Sequence, residues 1–282
     1  MKYNISMTTR NAREAGNGDN RFDRVLRLFG PEGFERLLRA HVMVIGCGGV
    51  GSWAAEGICR SAAGRLTLID FDTVCLRNFN RQLQAVGGNV GRLKVQVLAE
   101  RLRLINPHAR VDAVARPFSE ETHAELLADR PDFIVDAIDH ITSKCFLIHY
   151  CRANGIPFIT STGSGSRVDP TQVRVMDLGR TELDPLARAV RKILKSKYHF
   201  PRKGPFGVRA VCSLEAPAVP GPAAEQITCG SADCPNRGKG EFERCVKKAV
   251  VLGTAGFVTA AFGMACAAEA VRHIAAPPEA AR

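Results

Sequence analysis

The residues with the clearest chemical meaning are glycines that follow a short apolar run. Gly46, Gly48 and Gly51 have the spacing G-x-G-x-x-G, with Gly49 as a fourth glycine, directly after the apolar residues 41–45. Glycines let a backbone turn tightly and approach a phosphate, and a helix that begins there adds N–H donors and a positive dipole end. The segment therefore predicts a binding site for the phosphates of a nucleotide.

Acidic and basic residues follow at spacings that fit such a site. Asp70 comes 24 residues after Gly46, at the end of a second apolar run, where an acid can hold a ribose hydroxyl. The further polar candidates, in chain order, are Asp72, Asn78, Arg81, Lys94 and Asp139. By themselves the glycines and Asp70 indicate a nucleotide, and they are shared with enzymes that bind NAD or FAD.

The basic candidates separate two kinds of nucleotide chemistry. Hydride transfer needs no cation beyond the pyrophosphate, whereas attack on an α-phosphate does, because charge builds on the phosphoryl oxygens. Arg81 and Lys94 can supply that positive charge. Asp139 can hold Mg²⁺, which favours one or two carboxylates together with phosphate oxygens. These positions favour attack on a phosphate.

Alternating apolar runs and amphipathic stretches must position these residues. Strands are predicted at 41–45, 65–69, 109–115, 132–137, from 157 and at 173–176, and helices at 31–38, 52–62, 90–105, 120–129 and 143–154. The helix at 90–105 is expected to bury Val90, Leu93, Val97 and Leu104. The alternation predicts an α/β fold with a Rossmann-like, doubly wound and mostly parallel sheet, which binds ligands at the carboxyl ends of its strands.

Composition bounds the partners and the compartment. Lys and Arg number 39 and Asp and Glu 28, a net charge of +11 that favours a polyanionic partner. Ten cysteines without an apolar secretory signal at the start indicate reduced thiols in a cytoplasmic protein. Residues 249–268 carry no charge, but they are rich in Ala, Gly and Thr, so a buried helix is favoured over a membrane contact.

Several segments together resemble the ubiquitin-activating-type adenylyltransferase superfamily, which includes the molybdopterin-synthase and thiamine sulfur-carrier adenylyltransferases. The matching segments are 21–24, 46–51, 68–72, 78–82, 91–94, 105–107 and 135–139. The resemblance implies that the glycine segment and Asp70 bind ATP, that Asn78, Arg81 and Lys94 contact its phosphates, and that Asp139 binds Mg²⁺.

The same resemblance implies a homodimer in which an arginine near the N-terminus reaches into the partner's site. Arg24 and Arg27 are both candidates here, and Arg24 is the first choice. The polar residues 1–20 predict a disordered tail. Residues 21–165 are expected to form an ATP-binding adenylation domain, with a smaller α/β extension at 166–282 packed on the same sheet. That extension is expected to bind substrate RNA and to form the dimer.

The second half narrows the resemblance. Segments 169–173, 184–187 and 207–215 look like the tRNA threonylcarbamoyladenosine dehydratases. This implies that the threonine carboxylate of the modified adenosine at tRNA position 37 is adenylated. The carbamoyl nitrogen then closes a ring and expels AMP, with a net loss of water. A cysteine-desulfurase-type partner sometimes accompanies such enzymes and is not visible in the sequence.

A basic segment agrees with an RNA substrate. Asp184 and Pro185 are typical of a helix start, and residues 185–214 contain eight basic and no acidic side chains. The candidate RNA-binding residues are Arg188, Arg191, Lys192, Lys195, Lys197, Arg202 and Lys203. The first four are expected to face away from an apolar side of the helix formed by residues 186, 190, 193 and 194. A solvated basic surface without a ligand is the alternative.

Three other functions remain open. The first is an adenylyltransferase for a ubiquitin-like sulfur carrier, which is disfavoured because the two Cys-x-x-Cys zinc pairs usual there are missing. Cys229, Cys234 and Cys245 keep that function in play, as zinc ligands or as a reactive thiol. The others are a nucleotide-binding scaffold without turnover and a dehydrogenase.

Overall fold

One sheet organises the chain. The computed structural model describes residues 21–218 and 252–277. The strands are β1 (His41–Ile45), β2 (Arg65–Ile69), β3 (Arg110–Val114), β4 (Phe133–Asp136), β5 (Phe158–Ser161), β6 (Val173–Asp177) and β7 (Arg209–Ser213). Their order is β3-β2-β1-β4-β5-β7-β6, and only the β6–β7 pair is antiparallel. The predicted α/β class and mostly parallel sheet are confirmed.

Helices cover both faces of the sheet. They are α1 (Asp23–Arg39), α2 (Gly51–Arg60), α3 (Lys94–Ile105), α4 (His123–Leu126), α5 (Ile141–Ala153), α6 (Pro185–Lys197) and α7 (Gly256–Ala275). Val42 and Val44 of β1 pack toward α1, α2, α3 and α7, while Met43 and Ile45 pack toward α5. Successive residues of β1 thus face the helix layers on opposite sides of the sheet, as a doubly wound sheet requires.

The uncharged stretch near the C-terminus is a buried helix as far as the structure describes it. Residues 256–268 of this stretch form the first part of α7, which packs against α2 and the sheet. Small residues make the contact close: a Cβ on Gly57 would lie 2.8 Å from the Cβ of Ala267, and one on Gly263 would lie 2.5 Å from the carbonyl oxygen of Val50. Within residues 21–218 and 252–277, no helix has the length and hydropathy to cross a membrane.

Helix α3 corrects one sequence prediction. It begins at Lys94 rather than at residue 90, because Gly91 has a φ of +86° that a helix does not accommodate. Leu104, expected on the buried face, is 84% exposed, and the buried face instead includes Leu98 and Leu102. Val97 of the predicted face is buried, so the prediction fails at Leu104, in the last turn of the helix.

Other boundaries also differ. The five prolines and three glycines of residues 201–222 predict a loop, yet Arg209–Ser213 form β7 and lie between β5 and β6. The helix predicted at 31–38 extends back to Asp23 across a kink at Gly30, whose φ is 70°. The helix predicted at 120–129 is only the single turn His123–Leu126. Strands β6 and β7 extend the same sheet, while the domain division near residue 165 stays a prediction.

Candidate active site

The glycine segment forms the tight connection between β1 and α2, called the glycine loop (residues 46–51) below. Gly46 has a φ of +90°, and a Cβ there would lie 2.6 Å from the carbonyl oxygen of Ala137. A Cβ on Gly51 would lie 1.7 Å from the carbonyl oxygen of Gly46. Both positions therefore require glycine. Around Gly48 the space is open, with only the Gln82 amide 3.8 Å from a Cβ, so a ligand can approach the backbone.

Gly51→Ala should remodel the loop. The added methyl has no space beside the Gly46 carbonyl, and forced overpacking of this kind costs about 1–3 kcal/mol or displaces backbone. We expect ATP affinity, measured by titration calorimetry, to fall at least about 10-fold. Gly87→Ala is the matched control, because nothing lies within 4 Å of a Cβ at that position. Equal ATP affinity in the two variants would contradict the assigned role of the loop.

Asp70 connects the end of β2 to the glycine loop. Its Oδ2 accepts a hydrogen bond of 2.7 Å from the Cys47 N–H, and its Oδ1 accepts one of 2.8 Å from the Asp72 N–H. Burial raises the pKa of Asp70, against the opposing effect of the Lys94 charge. The carboxylate therefore stands beside the loop, where the sequence places a ribose ligand. That ribose contact stays a prediction.

Lys94 is a buried cation at the start of α3. Only 6% of the residue is exposed, and its Nζ lies 2.6 Å from Oδ2 of the half-exposed Asp72. Burial lowers the pKa of Lys94, but the carboxylates of Asp70 and Asp72 outweigh it and raise the pKa. The ammonium is thus held in its charged form next to the two acids that follow β2. Its contact with a phosphate stays a prediction.

Arg81 lies directly over the glycine loop. Its Cγ and Cδ would both be 3.2 Å from a Cβ on Gly49, and its Nη1 donates to the Arg77 carbonyl at 2.7 Å and to Asn80 Oδ1 at 2.9 Å. Burial and then the neighbouring Arg77 lower its pKa, whereas Asp139 acts to raise it. The charge of Asp139, the predicted magnesium ligand, therefore acts on Arg81, the predicted cation.

The other predicted polar residues lie around the same edge. Asn78 accepts a hydrogen bond of 3.0 Å from the Cys75 N–H through Oδ1, so that oxygen shapes the turn before Arg81. Its phosphate contact stays a prediction. Asp139 is exposed, three residues beyond the end of β4. A single exposed carboxylate fits Mg²⁺, which takes few protein ligands and retains water and phosphate oxygens, and the Mg²⁺ site itself stays a prediction.

Arg24 and Arg27 lie on α1, and both are exposed. Arg27 pairs with Asp23 at 2.7 Å. Within residues 21–218 and 252–277 no hydrogen bond joins either arginine to the glycine loop. The role of Arg24 across a dimer stays a prediction.

Sequence reasoning missed a buried charged network beneath the site. The Nζ of Lys144 on α5 lies 2.7 Å from Oδ2 of Asp136 and 3.1 Å from Oγ1 of Thr160, and the Thr160 hydroxyl donates to Asp136 at 2.6 Å. The Lys144 and Asp136 side chains are 2% and 0% exposed. Oδ1 of Asp136 also accepts from the Ile138 N–H at 3.1 Å. The network thus fixes the turn that leads from β4 to Asp139.

Gln84 is a second missed residue. Its Nε2 donates to the Cys47 carbonyl at 2.6 Å, so it supports the glycine loop from the side. Its Oε1 is buried without a hydrogen-bond partner, an arrangement that buried amides rarely show. A buried glutamine in an otherwise loop-like segment has no periodic signal, and its neighbours on the loop are visible only in three dimensions.

Helix α6 begins as predicted. The Asp184 side chain accepts from the Ala187 N–H, and Pro185 occupies the first turn. Arg188, Lys192 and Lys195 are exposed. The further basic candidates Lys197, Arg202 and Lys203 are also exposed, and Lys197 lies 3.9 Å from Glu120.

Arg191 corrects the prediction for this helix. It does not face freely away from the apolar side but is half-buried, and its Nη1 donates to Oγ1 of Thr181. Burial and then the charge of Arg188 lower its pKa. Arg191 thus anchors α6 to the preceding segment, and Arg188, Lys192 and Lys195 are the cations that this helix presents.

The described cysteines are poor candidates for a nucleophile. Six of the seven are buried, and burial raises the pKa of both Cys145 and Cys212 to about 11. A thiolate, the reactive form, is therefore disfavoured. Cys229, Cys234 and Cys245, on which the zinc or thioester alternative depends, lie outside the described residues.

Comparison with known proteins assigns the family. The model of the ThiF family matches residues 22–281. The chain belongs to the ThiF family. Among its relatives, the tRNA threonylcarbamoyladenosine dehydratases of Haemophilus influenzae and Escherichia coli are each 39% identical to it. The alignments cover 88% and 91% of this chain and 90% and 94% of theirs.

Solved structures agree with this placement within the family. Two structures of the E. coli tRNA N6-threonylcarbamoyladenosine dehydratase, in complex with ATP and with AMP, match at TM-scores of 0.78 and 0.79, with 38% identity. Each match covers 92% of this chain and 95% of the other. The molybdopterin-synthase adenylyltransferase of Salmonella typhimurium is 33% identical over 68% of this chain. The resemblance predicted from the sequence is confirmed.

Proposed function

We propose that this protein is an ATP-dependent tRNA threonylcarbamoyladenosine dehydratase. It adenylates the threonine carboxylate of the modified adenosine at tRNA position 37 and cyclises it with loss of water. The observation that carries the proposal is the match to dehydratases of this name over about nine-tenths of both chains. The cations Arg81 and Lys94 support the adenylation step, because they can stabilise charge that builds on an attacked α-phosphate.

The proposed chemistry has two steps. First, a carboxylate oxygen of the substrate attacks the α-phosphorus of ATP, and pyrophosphate leaves. Next, the carbamoyl nitrogen attacks the activated carbonyl carbon and loses its proton, and AMP departs with the former carboxylate oxygen. Relative to the neutral acid, the product lacks one carboxyl oxygen, the carboxyl proton and the carbamoyl N–H proton, which together equal one water, and no cysteine of the protein is required.

Residues around the glycine loop divide the work. The loop and α2 hold the phosphates with backbone N–H groups and the helix dipole, and Asp70 holds the ribose. Arg81 and Lys94 stabilise charge that develops on the phosphoryl oxygens. Asp139 would hold Mg²⁺, which would neutralise charge on the phosphates. The homodimer places Arg24 of one copy at the site of the other.

A mass measurement tests the proposal. The purified protein is incubated with ATP, Mg²⁺ and tRNA that carries threonylcarbamoyladenosine, and the digested nucleosides are weighed. We expect a loss of about 18 Da, the mass of one water removed through carboxylate activation. Omission of ATP and tRNA without the modification are the controls. An unchanged mass would refute the proposal, and pyrophosphate exchange dependent on a ubiquitin-like protein would establish the carrier adenylyltransferase instead.

Neutralising Arg188, Lys192 and Lys195 together should weaken tRNA binding. These side chains are exposed on one helix, and removing a cation that binds a phosphate reduces the slope of log affinity against log salt by about one. Filter binding at several salt concentrations measures both affinity and slope. Arg130→Gln is the control, since Arg130 is equally exposed but precedes the amino end of β4. An unchanged slope in the triple variant would remove α6 from the RNA site.

A further inference from the structure

A cavity of about 240 Å³ opens beside the start of α6 and has no role in the proposed chemistry. One side is the sheet, with Met176 of β6 and residues 212–214 at the end of β7. The other side is the segment 180–184 that leads into α6. The volume is below the range of about 300–1,000 Å³ typical of pockets for drug-sized ligands, so the occupant is small.

The cavity lies at the carboxyl ends of the parallel strands, as the glycine loop does. Ile45 pairs with Asp136, Asp136 with Thr160 and Thr160 with Ala210, in one row across β1, β4, β5 and β7. These strands are parallel, so the carboxyl end of β7 points the same way as that of β1. Three strand spacings separate them, which is about 14 Å. The cavity is thus within a few nucleotides of a reacting group at the glycine loop.

A buried arginine fixes the cavity wall to these strand ends. Arg167 is 2% exposed and donates from Nη2 to Oδ2 of Asp184 at 3.1 Å. Its Nη1 donates to the carbonyl oxygens of Gly163 and Gly165, in the segment after β5. Because these bonds join the start of α6 to the loop after β5, the cavity keeps its position relative to the active site.

The cavity mouth combines exposed apolar surface with positive charge. Leu183 and Leu214 line it and are 44% and 47% exposed, an arrangement that leaves apolar surface in water. Arg180 also lines it and is exposed, and Arg188 is exposed on the first turn of α6. An unpaired RNA base can pack its face on apolar side chains or on an arginine guanidinium, and cations nearby pair with its phosphates.

Some polar atoms of the cavity wall are bonded within the protein, and others are placed to contact a ligand. Both oxygens of Asp184 are engaged, by Ala187 and Arg167, so they brace the wall. Thr181 is engaged by Arg191 and by the Leu178 carbonyl. The exposed carboxylate of Glu182 lines the cavity, and the hydroxyl of Ser213, which accepts from the Glu215 N–H at 3.1 Å, keeps its own hydrogen for donation. They suit the donors and acceptors on the edge of a base.

We infer that this cavity receives one unpaired base of the anticodon loop, close in sequence to the modified adenosine, an inference that rests on the proposed function. Holding a neighbouring base here gives the loop a fixed register, so that the threonine carboxylate meets the α-phosphate. The base is bound through apolar surface and base edges, and its binding therefore differs from the phosphate contacts of α6.

The test uses the full-length protein and an anticodon stem-loop RNA that carries threonylcarbamoyladenosine. Leu183→Ala/Leu214→Ala removes the exposed apolar mouth. We expect affinity for the RNA to fall about 5- to 30-fold, because two half-exposed leucines lose the apolar contact that the base would bury, with an unchanged salt slope. Leu104→Ala, at a leucine that is 84% exposed on α3, is the matched control and should bind normally.

A series of RNAs, each with one abasic position in the loop, identifies the base. One position should weaken binding to the natural protein yet have no further effect on the leucine variant, because that variant no longer binds the base. Equal affinity of the two proteins, or equal abasic effects in both, would overturn the inference. So would a leucine variant that loses affinity only by dissociating a dimer, as seen by sedimentation. Absence of dehydration by the natural protein would instead refute the proposed function.

Discussion

Replacing Arg81 by alanine should slow adenylate formation by about 100- to 1,000-fold while the dissociation constant for ATP changes less than about 10-fold. The side chain lies against Gly49 and is an electrostatic neighbour of Asp139. A cation there interacts more strongly with a phosphoryl group in the transition state, when charge builds on it, than with bound ATP. Its loss therefore appears mainly in turnover.

Single-turnover measurements with saturating tRNA separate the rate from ATP binding, which calorimetry measures directly. Arg92→Ala is the matched control, because Arg92 lies in the same region but is 42% exposed and paired with Glu100. Turnover of the Arg81 variant within a few-fold of the natural protein would withdraw Arg81 from the chemistry. An equal loss of ATP affinity and turnover would make Arg81 a ground-state binding residue.

Lys144→Met should destabilise the protein by about 3–5 kcal/mol, a larger effect than any surface substitution. Methionine fills a similar volume but leaves the Asp136 carboxylate fully buried beside it without a counter-charge. Thr160 and the Ile138 N–H still donate to that carboxylate, and they do not neutralise it. Urea unfolding measures the change, which should appear in the midpoint at an unchanged slope.

A second substitution identifies the cause of that loss. Lys144→Met/Asp136→Asn removes both charges while keeping an oxygen acceptor, so it should recover part of the lost free energy. Lys192→Met, at an exposed lysine on α6, is the control and should change stability by less than about 0.5 kcal/mol. If the double variant were as unstable as the sum of its parts, lost packing rather than an uncompensated charge would explain the effect.

Local patterns in the sequence determined what could be predicted. The glycine loop, the end of β2 at Asp70 and the cap of α6 at Asp184 each depend on a few consecutive residues, and the structure has them at those positions. The alternation of strands and helices likewise follows from apolar periodicity. These features depend on contacts within one turn or one strand, so composition and spacing suffice to find them.

What the sequence could not supply depends on strand order and register. The Lys144–Asp136 pair joins α5 to β4, and a lysine in an apolar helix gave no sign of its partner. Strand β7 was missed because its five residues lie among prolines and glycines, and it becomes a strand only between β5 and β6. Arg191 had helical spacing typical of an exposed residue, but Thr181 in the preceding segment engages it.

The close packing of α7 on α2 has a consequence for how the chain matures. The helix that carries the glycine loop ends at Arg60, yet the helix that covers it begins at Gly256, near the other end of the chain. At a synthesis rate of about 5–20 residues per second, about 10–40 s pass between the synthesis of α2 and the start of α7. During translation the apolar side of α2 is therefore exposed to chaperones, and a ribosome that stalls before α7 leaves a nucleotide-binding half without its closing layer.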